Sequence, residues 1–343
     1  MAKNTKDNVL IFMSLKLRTH VTTMREYRFE HLPPELKETV KKTPPVRLKP
    51  LWKARIGIFF MHLFMPKVDG NGVKVTNFKI PRPKTNGGAL KLRLYEPEAE
   101  QPYKRLGMVF MHWGGFVLGN LETEHARCVR LCRDENIVIL SVAYRLAPEH
   151  PFPEGLEDCQ FALGWLHKNA SRLKIDGDYI GVGGTSAGGG LAAGLAIKNL
   201  RLGTYKICYQ YLGFPVLDAG CSTKSANLHT DTPNWTSDAN RLMWEYYLKD
   251  GVVNEEASPL MAKNLGGLPE TYLWTAEFDP LHDEAVAFRE KLDAHDVPLT
   301  FHDYDGCIHG FDSILNPVGV IKKAYQDQHL FFEQLYKGLN KKH

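Results

Sequence analysis

A cluster of glycines around a single serine is the feature that most constrains the fold of this chain. Residues 183–190 read GGTSAGGG and follow an apolar run. Glycine weakens both helices and strands, so such a cluster indicates either close backbone approach to a phosphate or a turn too sharp for a Cβ atom. Residues 184–188 have the pattern G-x-S-x-G between a predicted strand and a predicted helix, which is typical of a nucleophile elbow. Ser186 is therefore a candidate nucleophile.

The phosphate-binding alternative fits this sequence poorly. A P-loop needs a Lys followed by Ser or Thr after its last glycine, and neither is present here. The dinucleotide fingerprint can be placed only on Gly188, Gly190 and Ala193, where it begins inside the predicted helix and lacks the acidic residue that should follow. The sharp turn is the favoured explanation.

Short β-rich runs alternate with helical stretches from about residue 73 onward. Two runs flank the turn residues 86–88 and predict a hairpin. Six further runs follow it, at residues 108–113, 137–144, 179–184, 209–216, 271–276 and 299–304. Alternation of this kind predicts an α/β fold, with a mostly parallel eight-stranded sheet and helices on both faces. Residues 1–70 lack it, and we expect them to form a helical addition packed against a domain of residues 71–343.

Charge and composition narrow the classes of function. The net charge of +4 over 343 residues is too small to indicate nucleic-acid binding. Residues 1–67, however, hold fourteen Lys or Arg against five Asp or Glu, a net charge of +9. Contact of this basic segment with an acidic membrane surface is one interpretation. The favoured interpretation is a solvated face of amphipathic helices.

The cysteines and the apolar runs predict a cytoplasmic protein. Six cysteines lack paired zinc-ligand spacing and are interpreted as reduced. The apolar stretch of residues 9–15 is short and has no small-residue cleavage site after it. Residues 56–65 are about half the length needed to cross a bilayer. We expect neither a metal nor an organic cofactor.

A nucleophilic serine needs a base, and in this fold class the partners follow it in the order acid, histidine. His309 lies just past the last predicted strand, where a loop at the carboxyl edge of the sheet can reach Ser186. His302 lies inside that strand and His295 ends a helix, so both are interpreted as structural. His309 is the predicted base.

Asp279 is the predicted acid. It comes shortly after the strand predicted at 271–276 and precedes Pro280, which stops the strand. Its rivals are Glu277, Asp283 and Asp305. Asp283 falls in the first turn of the next helix, where a carboxylate favours the helix dipole.

Backbone N–H groups must also face the oxygen that becomes negative during acyl transfer. One predicted donor is the residue after the nucleophile, Ala187. The others are predicted in the loop after the strand at 108–113, where Gly114 and Gly115 allow an extended backbone with inward N–H groups.

With these motifs assembled, the chain resembles the hormone-sensitive-lipase family of carboxylesterases, which have the α/β-hydrolase fold. Residues 143–159, AYRLAPEHPFPEGLEDC, are similar to a hallmark segment of that family. Residues 258–285 resemble its acid-bearing region, and YDGCIHGF at 304–311 resembles its histidine loop. The likeness covers residues 73–343 in consistent order, and GTSAG is similar to one branch of the family.

The resemblance implies roles for the candidate residues. Ser186 would be the nucleophile, His309 the general base and acid, and Asp279 its orienting carboxylate. Gly114, Gly115 and Ala187 would supply the oxyanion donors. The family usually has His-Gly-Gly-Gly at the oxyanion loop, whereas Trp113 takes the first glycine position here. We expect a working oxyanion hole with a reshaped pocket, and we expect His112 to shape the loop rather than transfer protons.

The resemblance also implies a helical cap over the site. The candidate cap segments are residues 1–70 and about 222–262. Trp113, Phe116 and Trp235 are the pocket candidates, and Met243 and Trp244 are further apolar residues that could line it. Packing between cap and core is an equally good explanation for each of them. A homodimer through the last strand and final helix is expected on family analogy only.

The predicted function is hydrolysis of short- to medium-chain acyl esters of small molecules by a serine carboxylesterase. A deacetylase, a lipase or an amidase with the same triad is the enzyme alternative. A ligand receptor on the same fold, as in the gibberellin receptors that resemble this family, is the non-enzyme alternative. The intact order of Ser186, Asp279 and His309 argues against a receptor.

Overall fold

A computed structural model describes residues 26–64, 68–82, 87–249, 251, 253–313 and 317–342. Some of the features predicted from the sequence fall outside these residues. They are Asn86 of the hairpin turn, residues 1–25 and 65–67 of the basic segment, with the apolar stretch 9–15 and the last residue of the run 56–65, and residues 250 and 252 of the second candidate cap segment.

One mixed sheet of eight strands forms the centre of the described structure. The strands are β1 (Val73–Pro81), β2 (Ala89–Pro97), β3 (Arg105–Met111), β4 (Val138–Ala143), β5 (Ile175–Thr185), β6 (Tyr209–Gly213), β7 (Glu270–Phe278) and β8 (Leu299–Ile308). Their order is β1-β2-β4-β3-β5-β6-β7-β8. Only β2 runs antiparallel to its neighbours, β1 and β4; every other pair is parallel. The mostly parallel eight-stranded sheet predicted from the sequence is confirmed.

Helices connect and cover these strands. The described α-helices are α1 (Pro34–Val40), α2 (Leu51–Phe64), α3 (His125–Asp134), α4 (Glu154–Asn169), α5 (Ala187–Leu202), α6 (Lys224–Leu228), α7 (Ser237–Tyr247), α8 (His282–Ala294) and α9 (Gly319–Lys342). Short 3₁₀ turns lie at Phe29–His31, Pro259–Met261 and Phe311–Ser313. None of these helices combines the length and the apolar character that a membrane span requires.

Alternating strand residues build two hydrophobic layers, one on each side of the sheet. In β3, Met108 and Phe110 belong to one buried cluster, while Val109 and Met111 belong to the other. All seven residues of this strand are buried. Coverage on both faces explains why the central strands read as apolar runs rather than as an alternating pattern.

The N-terminal segment contacts the sheet domain in two different ways. Leu36 and Val40 of α1 are buried in the same cluster as the α9 side chains. Helix α2 has no buried residue. Instead, Arg55 fixes it by donating hydrogen bonds to the carbonyl oxygens of Val117 (3.1 Å) and Ala147 (2.9 Å). The division into a cap and a catalytic domain stays a prediction.

Candidate active site

The elbow between β5 and α5 holds Ser186 in a strained conformation. The residue has φ 56° and ψ −124°, values that an L residue adopts only when its surroundings enforce them. A Cβ atom on Gly184 would lie 2.6 Å from the Met111 carbonyl oxygen, and one on Gly188 would come closer still. The glycines that flank the serine are therefore required because β3, β5 and α5 pass each other without room for side chains.

Ser186, His309 and Asp279 lie in hydrogen-bond contact with one another. His309 Nε2 is 3.0 Å from Ser186 Oγ, and His309 Nδ1 is 2.6 Å from Asp279 Oδ2. All three residues are buried. A carboxylate at Nδ1 favours the tautomer with its proton on that nitrogen, which leaves the lone pair on Nε2 to face the serine hydroxyl. Asp279 is itself held by the backbone N–H of Leu281, which donates to Oδ1 at 2.9 Å.

The rival acids and histidines have other surroundings, and Asp305 is exposed on β8. Glu277 accepts a hydrogen bond from the Gly306 N–H at 2.7 Å, and Asp283 contacts His282. His295 Nδ1 lies 2.8 Å from a backbone carbonyl of its own helix, α8. His302 lies on β8 beside Asp327, at 3.6 Å.

The loop after β3 folds tightly beside the serine. Gly114 has φ +133°, and its carbonyl oxygen accepts hydrogen bonds from the N–H groups of Val117 (3.1 Å) and Leu118 (2.8 Å). A Cβ atom on Gly115 would lie 2.8 Å from the Trp235 ring. Ala187 is the first residue of α5, so its N–H has no acceptor within the helix.

His112 stabilises this loop through contacts of its ring and its backbone. Its Nδ1 lies 2.8 Å from the Trp113 carbonyl oxygen, and its ring stacks on Tyr144 with centroids 4.2 Å apart. The Tyr144 hydroxyl donates to the His112 carbonyl oxygen at 2.8 Å. Burial lowers the pKa of His112 to about 4, because the charged imidazolium would lose its hydration. The ring is therefore neutral at pH 7 and acts as a donor to the loop backbone.

A cavity of about 90 Å³ opens against Ser186 and His309. Its other lining residues are Val46, Ile58, Trp113, Gly114, Gly115, Leu118, Phe214, Asn234, Trp235, Gly310 and Ser313. Both segments predicted to form a cap contribute to this lining. They also contact each other, since the Val46 N–H donates to the Asn234 carbonyl oxygen at 2.8 Å.

Two of the three predicted pocket residues line the cavity. Trp113 and Trp235 do so, whereas Phe116 is absent from the described lining. The Phe116 ring instead stacks on Tyr247 of α7, with centroids 3.8 Å apart. Phe116 therefore packs the loop against α7. This is the alternative to pocket lining that the sequence analysis gave for these residues. Met243 and Trp244 of α7 are likewise buried outside the described lining.

Sequence reasoning missed two residues that contact His309. The Phe214 ring packs edge-on against the imidazole, with centroids 4.8 Å apart, and Asn234 Nδ2 donates to the His309 carbonyl oxygen at 3.0 Å. Phe214 directly follows β6, and residues at the carboxyl ends of parallel strands meet at one edge of the sheet. That position was the available signal for Phe214, whereas nothing in the sequence singles out Asn234.

A buried charged network joins the elbow to the histidine loop. Arg127 of α3 donates to both carboxylate oxygens of Asp312, at 2.9 and 3.0 Å, and to Glu124 at 3.0 Å. Glu124 in turn accepts a hydrogen bond from the Thr185 hydroxyl. Thr185 directly precedes Ser186, so the network connects the elbow to the loop that carries His309.

Comparison with known proteins assigns the chain to a family. Residues 108–313 match a family model described as alpha/beta hydrolase fold. The chain is 36% identical to the carboxylic ester hydrolase LipN of Mycobacterium tuberculosis, over 70% of this chain and 64% of that protein. It belongs to the hormone-sensitive-lipase-type α/β-hydrolases.

Solved structures agree with this assignment. A bacterial heroin esterase superposes with a TM-score of 0.84 at 32% identity, covering 89% of this chain and 98% of that one. The esterase LipW of Mycobacterium marinum superposes with a TM-score of 0.82 at 30% identity, covering 91% and 98%. The predicted family and fold are confirmed, and the protein is a carboxylic ester hydrolase. In the part of the chain that the structure describes, no group of three or more His, Cys, Asp or Glu is placed to hold a metal ion.

Replacing Arg127 by Met should lower the free energy of unfolding by about 3–5 kcal/mol, because Glu124 and Asp312 would stay buried without their counterion. Arg133→Met, on the same helix but in a surface ion pair with Asp134, should cost less than about 1 kcal/mol. Urea unfolding of both variants measures the difference. Equal stabilities would show that the network contributes nothing beyond a surface pair.

The buried, neutral His112 should make the protein less stable in acid. In the unfolded chain the imidazole takes up a proton below about pH 6.5, whereas the folded state resists it down to about pH 4. The free energy of unfolding is therefore unaffected by His112 above pH 6.5. It decreases as the pH falls to 4, by up to about 3 kcal/mol at 1.36 kcal/mol per pH unit. Urea unfolding of His112→Gln should show a shallower loss over this range. The exposed His150→Gln variant serves as the control and should follow the wild type.

Proposed function

We propose that this ester hydrolase is a serine carboxylesterase that acts on short- to medium-chain acyl esters, with Ser186 as nucleophile, His309 as general base and Asp279 as orienting carboxylate. The observation that carries the proposal is the unbroken series of contacts from Asp279 Oδ2 to His309 and from His309 to Ser186 Oγ, at 2.6 and 3.0 Å. A buried hydroxyl next to an imidazole whose other nitrogen faces a carboxylate is the arrangement that activates serine.

The first half of the reaction forms an acyl-enzyme. Ser186 Oγ attacks the ester carbonyl carbon while His309 Nε2 takes the hydroxyl proton. Asp279 keeps the ring in the required tautomer and stabilises the imidazolium. The tetrahedral intermediate then collapses, and the alcohol leaves with the proton from His309.

The backbone N–H groups of Gly114, Gly115 and Ala187 are the proposed oxyanion donors. Support comes from the position of Ala187 at the N-terminus of α5, where the helix dipole favours negative charge. The positive φ angles of Gly114 (+133°) and Gly115 (+58°) also turn this loop in a way that residues with a Cβ rarely adopt. Each donor of this type typically contributes about 10²–10³ in turnover.

Water completes the cycle. It enters after the alcohol leaves, His309 removes its proton, and the hydroxide attacks the acyl-enzyme carbonyl. Collapse of the second tetrahedral intermediate releases the acid and returns the proton to Ser186. No step requires a metal or an organic cofactor, because proton transfer and charge stabilisation are both supplied by residues of the chain.

The cavity supports a preference for short acyl chains. Its volume of about 90 Å³ holds a few water molecules or a small acyl group. Trp113 and Trp235 both border it, and the contact of Trp235 with Gly115 brings this ring against the proposed oxyanion loop. The two indole rings narrow the space beside Ser186, which favours small acyl groups over long chains. A lipase working on long chains is therefore the less favoured alternative.

Hydrolysis of p-nitrophenyl esters from acetyl to palmitoyl tests the proposal. We expect kcat/KM to be highest for acetyl to butyryl esters. Ser186→Ala should lower kcat/KM by at least about 10⁴-fold for each ester. Circular dichroism of the variant provides the control for folding. A fully active Ser186→Ala protein would exclude this serine as the nucleophile, and a wild-type maximum at palmitoyl would exclude the acyl preference.

Trp235→Ala should move the preferred acyl chain toward longer esters, because it removes an indole ring from the cavity wall. Each added methylene accepted by the enlarged pocket should gain up to about fourfold in kcat/KM, given about 0.8 kcal/mol per buried CH₂. Trp244→Ala is the matched control, since this buried tryptophan belongs to α7 but not to the described cavity lining. A shift of equal size in both variants would show that loosened packing, not pocket size, sets the preference.

A further inference from the structure

Helix α2 exposes a broad apolar surface. Trp52, Ile56, Phe59 and Leu63 repeat at spacings of four, three and four residues, which places them on one side of the helix. Their exposed fractions are 60%, 46%, 61% and 62%. Two further phenylalanines extend this side. We call the whole set the outer face of α2: Trp52, Ile56, Phe59, Phe60, Leu63 and Phe64.

The opposite side of the helix is already in use. Ile58 lines the cavity next to Ser186, and Ala54 packs against the main hydrophobic cluster. Arg55 holds this side in place through its hydrogen bonds to two backbone carbonyls and its ion pair with Glu149 at 2.7 Å. The outer face therefore cannot turn into the core without breaking these contacts. A helix that is apolar on both sides is typical of one that is covered on both sides.

The charges around the outer face select the type of partner. Residues 39–68 contain seven Lys or Arg and no Asp or Glu. Arg47, Lys49 and Lys53 are exposed in the described structure, before and within the first turn of α2. An apolar face bordered by positive charge fits a partner that is both apolar and anionic.

The nearby carboxylates cancel only part of this charge. Asp231 and Asp238 border the same surface pocket as Arg47 and Lys49, and Asp238 is also paired with Arg241. Glu149 is paired with Arg55, and Glu122, which lies close enough to α2 to affect His62, is paired with Arg93. Glu149 and Glu122 are thus each held by an arginine, and the pairing with Glu149 also neutralises Arg55, so the positive charge offered to a partner of α2 comes from the remaining basic residues.

We propose that the outer face of α2 is a docking surface for an anionic lipid bilayer. Aromatic residues and leucine beside lysine and arginine are the composition of helices that lie in the membrane interface. The fourteen residues of α2 span about 21 Å at 1.5 Å per residue, too short to cross the hydrocarbon core, so the helix would lie in the interface plane. The solvated amphipathic face favoured by the sequence would require polar side chains at these positions.

A second copy of the chain is the weaker occupant. In a two-fold interface each patch meets an identical patch, so both sides carry the same positive charge and neither supplies the anionic groups that would complement it. An anionic surface instead gains from every one of these charges, at about 1 kcal/mol or roughly fivefold in partitioning per Lys or Arg.

Docking would bring lipid close to the active site. The inner face of α2 lines the cavity, and the diameter of a helix with its side chains is about 10 Å. An ester dissolved in the bilayer would therefore need to travel only about one helix diameter to reach Ser186.

Vesicle flotation of the full chain tests the proposal. We expect binding to vesicles of equal parts phosphatidylglycerol and phosphatidylcholine at low salt, weaker binding at high salt, and little binding to phosphatidylcholine alone. The triple variant Phe59→Ser, Leu63→Ser, Phe64→Ser should lower the partition coefficient at least about tenfold, because the apolar anchors are removed. Lys49→Glu with Lys53→Glu should lower it by a similar factor.

Two controls keep the outcome clear. Leu330→Ser removes an apolar side chain of α9 that is 59% exposed, and it should leave flotation unchanged. Hydrolysis of dissolved p-nitrophenyl acetate should be equal in the wild type and the triple variant, which reports folding. An inactive wild type would contradict the proposed function without affecting the flotation result.

Either of two results would overturn the docking proposal. The first is wild-type protein that does not float with anionic vesicles at low salt, or floats equally after the triple substitution. The second is a dimer in sedimentation velocity that the triple substitution dissociates, since the outer face would then be covered by a second copy.

Discussion

The close approach of β3, β5 and α5 at the elbow is the constraint on which the rest of the site depends. The carbonyl oxygen of Met111 occupies the space that side chains on Gly184 or Gly188 would need. Because the backbones touch there, Ser186 is forced into its positive φ and its hydroxyl is lifted to the carboxyl edge of the sheet. The same contact brings the loop after β3 beside the serine, so the proposed nucleophile and oxyanion donors share one origin.

The parallel strands position the other two residues of the site, Asp279 and His309. β7 and β8 end at the same edge as β5, and Asp279 and His309 are the first residues after those two strands. A residue that begins a loop directly after a strand has little conformational freedom, because the sheet fixes its backbone. Rigid placement of this kind supports the short contacts among the three residues without any contribution from a ligand.

Much of this arrangement could be predicted because it depends on local signals. The glycine pattern around Ser186, the strand before Asp279 and the strand before His309 are each readable within a few residues. The pocket was less predictable, because its wall is built by segments distant in sequence. Phe116 looked like a lining residue but stacks on Tyr247 of α7, a contact that no spacing rule reveals. The Arg127–Asp312 pair, separated by 185 residues, left no sequence signal either.

The Arg127–Asp312 pair has a consequence for how the active site unfolds locally. Arg127 ties the segment after His309 to helix α3, and Glu124 ties α3 to the residue before Ser186. Opening either loop alone would leave a buried charge without its partner. Opening both loops together with α3 therefore costs less free energy. We therefore expect the three segments to open as one cooperative unit, so that their amide protection is lost at a common free energy rather than loop by loop.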